Sequence, residues 1–113
     1  MKIYLSGPMT GYDEFNYPAF HACAAELRAM GHEVVSPAEQ DQFSGLDPET
    51  SEWHEFIRWD LKVLVDCEAI ALMDGWHKSR GARLEHHVAL TLGMEILTMW
   101  ELRRARAYPG MRT

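Results

Sequence analysis

Cysteine is scarce in this 113-residue chain: Cys23 and Cys67 stand alone, and neither belongs to a C-x-x-C pair. That argues against a disulfide framework and a cysteine-built zinc site. Two isolated thiols fit a reducing compartment, so the expected location is cytoplasmic, with a Cys23–Cys67 bridge as the minor alternative. Long apolar runs are missing too. None approaches the ~20 residues of a membrane span, and the opening Met1-Lys-Ile-Tyr-Leu-Ser-Gly-Pro is broken too soon to read as a secretory leader. Positive charge is in deficit, with 11 Lys and Arg against 17 Asp and Glu and a net charge of −6. Broad attachment to duplex nucleic acid or an acidic membrane is therefore not expected, although a small anionic ligand needs only a local site. The Gly7-to-Gly11 loop lacks G-x-G-x-x-G, the dinucleotide fingerprint. His54-Glu55 lacks the second histidine of H-E-x-x-H. His86 and His87, as helix neighbours, would point about 100° apart. Neither a metal nor an organic cofactor is expected.

What is present is the composition of an ordinary globular domain, 47% apolar and 25% charged. The length suits one domain over residues 1–113, with a core over about 1–100 and an Arg-rich tail over 101–113. Lys2–Ser6 reads as a strand stopped by Gly7-Pro8. A helix follows from Pro18 to about Met30, with Phe20, Cys23, Ala24 and Leu27 inward and Gly31 as its stop. His32–Ser36 is a second strand, and 38–51, with Gly45 and Pro48, a loop. Ser51 is the expected cap of a helix over about Glu52–Asp66, without a full capping box because His54 holds the third place. Its inner stripe is Trp53, Phe56, Ile57, Leu61 and Leu64. Ala69–Met73 is a third strand, Ser79–Leu92 a third helix, and Glu95–Trp100 a fourth strand, followed by a helical turn from Glu101. Alternating strands and helices predict an α/β fold of flavodoxin-like or Rossmann-like type, a three-layer sandwich around a parallel sheet of four to five strands. In such a sheet, ligands bind beyond the carboxyl ends of the strands. The loops 7–17, 37–52, 74–78 and the region after Trp100 would meet there.

Two carboxylates break the apolar stripes. Gly81, Leu84, Val88, Ala89 and Leu92 trace one face of the third helix, and Glu85 fills its i+4 place. Asp60 fills the i+7 place of the helix before it. An ionised carboxylate among apolar neighbours is costly unless paired, and its pKa rises. The bland reading of Glu85 is a structural carboxylate that caps a loop or pairs with Arg80 or Arg83, and that of Asp60 a partly exposed helix residue. Ser79 suits an N-cap, at a helix end that also favours an anion such as phosphate. Glu85 would lie ~9 Å further along that axis, a plausible gap between a 5′-phosphate and the anomeric carbon of a pentose. A carboxylate there can trap the oxocarbenium-like transition state of glycosidic cleavage, while a second protonates the leaving group or orients the sugar.

Ser79-x-Gly81-x-x-x-Glu85 resembles the motif of the nucleoside 2-deoxyribosyltransferases and the related 2′-deoxynucleoside 5′-monophosphate N-glycosidases. Lys2-Ile-Tyr4-Leu-Ser-Gly7 is similar to their first strand and ligand loop, and Arg58-Trp-Asp60-Leu61-x-x-Leu64 to their aspartate-bearing helix. Gly-Pro-Met-Thr-Gly, Asn-Tyr-Pro-Ala-Phe, Pro-Ala-Glu and Gly-Trp-x-x-Ser-x-Gly-Ala look most like a small branch of that superfamily common in phages and prophages. The likeness spans roughly residues 1 to 100.

The resemblance implies that Glu85 is a nucleophile forming a glycosyl-enzyme intermediate. It implies that Tyr4 touches the sugar or positions Glu85, and that Asp60 holds the deoxyribose hydroxyl or assists proton transfer. Ser79 would hold a 5′-phosphate, and Gly7 and Gly81 would let backbone approach the ligand. It further implies a nucleoside or nucleotide as partner, base selection by loops 9–17 and 38–52, and a homodimer or larger assembly. Pro8 and Thr10 depart from the serine and arginine of the monophosphate hydrolases, and nothing after Trp100 matches the residues lent across their interface. Two further candidates come from the residues themselves. Asp74 ends the third strand as an acid or a turn former before Gly75, and Trp76 either walls a base pocket or covers the core edge. The rival functions are a nucleotide-binding or sensing module without turnover, and a glycohydrolase of NAD-like dinucleotides. The basic tail, Arg103, Arg104, Arg106 and Arg112, is expected to be solvated or to contact another subunit.

Overall fold

Alternate side chains of Lys2–Ser6 (β1) part to opposite sides of a sheet. Ile3 and Leu5 enter one apolar cluster and Tyr4 the other. The computed structural model describes residues 1–40, 43–47 and 49–107. Glu33–Val35 (β2), Ala69–Leu72 (β3) and Glu95–Thr98 (β4) complete a sheet of order β2-β1-β3-β4, parallel throughout. Tyr4 sits between Val35 and Ile70, and Leu72 lies beside Thr98.

Helices cover both faces. Tyr17–Ala29 (α1) and Met99–Ala107 (α5) lie over the Ile3 and Leu5 side, where Phe20, Cys23, Ala24, Leu27 and Met99 are buried. Trp53–Leu64 (α3) and Arg80–Thr91 (α4) cover the Tyr4 side, supplying Leu64 and Ala89. This is the expected three-layer α/β sandwich, with four strands among the described residues. Cys23 and Cys67 are free thiols in different clusters, with the sheet between them. No described helix is long and apolar enough to cross a membrane.

Several local expectations are corrected. Part of the expected loop is a short helix, Pro37–Gln40 (α2), whose Glu39 is held to Arg28 of α1 at 2.6 Å. Glu52, not Ser51, caps α3, and it forms a full capping box with Glu55. Ser51 is otherwise engaged, since its hydroxyl accepts from the Asp47 amide at 3.0 Å. β4 stops at Thr98 because the Thr98 hydroxyl accepts the Glu101 amide at 3.1 Å and starts α5 there. Met99 turns into the core while Trp100 is exposed. Leu92, expected inward, is 57% exposed, because α4 ends at Thr91 and the chain turns at Gly93 with φ +72°. Arg103 is not a free tail residue: it pairs with Glu26 of α1 at 2.9 Å and with Asp74 at 3.6 Å. Pro48 and Arg112 lie outside the described residues.

Candidate active site

Strand order reverses between β1 and β3, since β1 leads to β2 on one side and β3 to β4 on the other. A crevice therefore opens beyond Ser6 and Leu72, where parallel α/β sheets take ligands. Glu85 reaches this crevice from α4. It is 4% exposed and points back toward β1. Tyr4 Oη donates to its Oε2 at 2.6 Å, and Ser6 Oγ donates to its Oε1 at 2.6 Å. Tyr4 and Ser6 share one face of β1, being two residues apart on a strand. Burial raises the Glu85 carboxyl to about 7, and the hydroxyls of Ser6 and Tyr4 pull it back in part. Among the described residues, no arginine takes the carboxylate. Arg80 lies over the Trp53 ring, its guanidinium carbon 3.5 Å from the ring centre, and Arg83 is exposed.

Glu85 faces a small hollow of about 50 Å³ whose lining includes Gly7, Asp60, Ser79 and Gly81. Met9, Thr10 and Asp60 are shared with a groove of about 240 Å³ further out. Phe15, Tyr17, Trp53 and Phe56 give that groove aromatic walls, and Ser51 lines it too. A cavity of ~150 Å³ takes a benzene ring, so the groove has room for a flat aromatic group and the inner hollow alone does not. Glu85 and Asp60 thus meet across one hollow from different helices, as the broken stripes of the sequence suggested. Ser79 borders the same hollow and caps α4, its hydroxyl accepting the Ala82 amide at 3.2 Å.

Two expected residues are not brought there. Asp74 points outward, its side chain 74% exposed and facing Arg103. Gly75, at φ +83°, turns the chain immediately after it. Trp76 lines neither hollow. It packs on the Tyr4 cluster and against the His86 ring at 4.6 Å, covering the core edge. The loop 74–78 and residues 101–107, the described part of the region after Trp100, contribute nothing to the lining of either hollow. Among the described residues, no three His, Cys, Asp or Glu side chains gather as metal ligands would.

Ser6 went unnoticed in the sequence because a serine before Gly-Pro looks like a strand end. The available signal was its i+2 spacing from Tyr4. The aromatic groove was missed because Trp53 and Phe56 read as core, whereas both are only half-buried.

No curated protein sequence matches the chain. Among solved structures, it is similar to a 2-desoxiribosyltransferase from Leishmania mexicana, at a TM-score of 0.62 and 17% identity over 86% of this chain and 62% of that one. The chain therefore spans less than two thirds of that protein's length, and identity this low speaks for the fold alone. A family model matches residues 1–98, and the chain belongs to that family, described as Domain of unknown function (DUF4406).

Proposed function

We propose that this protein cleaves, or transfers across, the N-glycosidic bond of a (deoxy)nucleoside or its 5′-monophosphate, with Glu85 as the nucleophile. The supporting observation is a buried carboxylate gripped by two hydroxyls and turned toward a hollow at the sheet's switch point. The likeness in fold to a 2-desoxiribosyltransferase agrees with it.

In this reading the base lies in the aromatic groove, and the anomeric carbon reaches Glu85 through the edge that Met9, Thr10 and Asp60 share. One carboxylate oxygen bonds to that carbon as the carbon–nitrogen bond breaks. The bonding electrons leave with the base, which takes a proton from Asp60 in its acid form or from water. Water, or a second base, then attacks the same carbon and releases Glu85 as a carboxylate. Gly7 and Gly81 would leave room for the sugar, and Ser79, on the hollow's lining, would hold a 5′-phosphate. A homodimer or larger assembly and a cytoplasmic setting belong to the same reading. So does kinship with the phage and prophage branch and the monophosphate N-glycosidases.

The small inner volume favours a second reading, a module that holds a nucleotide in the groove without turnover. One screen separates the two. Wild type, Glu85→Ala and Glu85→Gln are incubated with nucleosides and 5′-monophosphates, and free base is followed by chromatography. Base release by wild type alone supports the nucleophile. Equal release by all three removes it, and binding without release favours the module.

A further inference from the structure

We propose that Ser6 is a positioning residue for Glu85: its hydroxyl and that of Tyr4, on one face of β1, each hold one carboxylate oxygen and fix the direction in which the group faces the hollow. Ser6 is fully buried and its hydroxyl lies 2.6 Å from Glu85 Oε1. Tyr4 lies at the same distance from Oε2. A strand repeats side-chain direction every second residue, so two hydroxyls spaced i, i+2 can serve the two oxygens of one carboxylate. With an oxygen held on each side, rotation about the last side-chain bond breaks a hydrogen bond in either sense. One edge of the carboxylate is thereby turned to β1, and the rest is left for the hollow.

The clamp also selects a protonation state. An ionised carboxylate only accepts, so both hydroxyls donate to it. Protonation turns one oxygen into a donor, and one hydroxyl must then swing away or reverse its role. Tyr4 and Ser6 thus oppose the effect of burial. Among the described residues, the other ionisable group lining the hollow is Asp60, from α3. The lining residues Gly7 from the β1 loop, Pro37 from α2, and Ile57 and Ala82 carry no charge.

The catalytic consequence rests on Glu85 being the nucleophile, but the clamp itself does not. Carbon-13 NMR of the glutamate carboxyl carbons in the full chain reads the clamp directly, with Glu85→Gln assigning the signal. The wild-type midpoint is expected at about 7, and Ser6→Ala should move it upward. Ser6→Thr keeps the donor and should titrate with the wild type. Should Ser6→Ala not fold, Ser6→Cys, a weaker donor of similar size, carries the same expectation. In the base-release assay, Ser6→Ala should lower kcat roughly ten- to a hundred-fold, the range expected for a lost hydrogen bond to a charged group. KM should move much less, and the acid limb of the pH profile should follow the NMR midpoint. An unmoved midpoint in folded Ser6→Ala or Ser6→Cys overturns the clamp. A moved midpoint without base release by wild type keeps the clamp and sinks the nucleophile reading.

Discussion

A methyl placed on Gly7 would lie 2.8 Å from Met73 Cβ and 2.9 Å from its sulfur. The glycine that ends β1 is therefore required by the neighbouring strand end, whatever the ligand needs. Met73 Cβ is anchored to backbone and cannot swing aside, so Gly7→Ala must displace the end of β1. We expect a loss of about 1–3 kcal/mol, the usual range for overpacking, read from the urea midpoint. An unchanged midpoint would mean that the two strand ends separate without cost.

Gly81 behaves oppositely. A methyl there meets Ile57 at 3.6 Å and Trp53 at 3.8 Å, ordinary contacts. Alanine is also favoured over glycine in a helix by roughly 0.5–1 kcal/mol. Gly81→Ala should therefore raise the melting temperature. Because Gly81 lines the inner hollow, the same methyl should depress kcat/KM for base release. A stabilised variant with full turnover would show that the reacting carbon does not sit beside Gly81.

Glu14, Phe15 and Asn16 are consecutive non-glycine residues in the left-handed region, at φ 53°, 54° and 62°. Each such residue costs roughly 1–2 kcal/mol, asparagine least. Glu14 is exposed and Phe15 lines the groove. Glycine at either place relieves backbone strain, so Glu14→Gly and Phe15→Gly should both keep or gain stability. Only Phe15→Gly should weaken binding of an aromatic ligand, several-fold by calorimetric titration. Equal affinities would remove the groove from the ligand's path.

Burial lifts the Glu85 carboxyl from 4.5 to about 7. Between those values the folded chain keeps a proton that the unfolded chain has released. The stability this group contributes is full below about pH 4.5 and is lost as pH rises to about 7. The span corresponds to something on the order of 3 kcal/mol. Urea midpoints of wild type should fall relative to Glu85→Gln across that window and run parallel above it. Parallel curves throughout would place the carboxyl's titration elsewhere.

The architecture could be read in the sequence because its signals are local and repeated: period-two strands, helical stripes, and glycines or proline at their ends. Glu85 and Asp60 stood out for the same reason, as charges in apolar stripes. What escaped depended on competition between neighbours. Ser51 is a better cap by propensity than Glu52, but its hydroxyl was already taken by Asp47. Asp74 and Trp76 follow a strand end, where the turn at Gly75 sets their direction and no periodicity encodes it. Arg103 reads as tail because its partners, Glu26 and Asp74, are distant in sequence.

The family model matches residues 1–98, and the next residue, Met99, is a wholly buried side chain. α5 covers the hydrophobic layer that holds Phe20 and Cys23 and is latched to α1 through Arg103. Trimming this chain at Thr98 would remove Met99 from the core and open its interior to water.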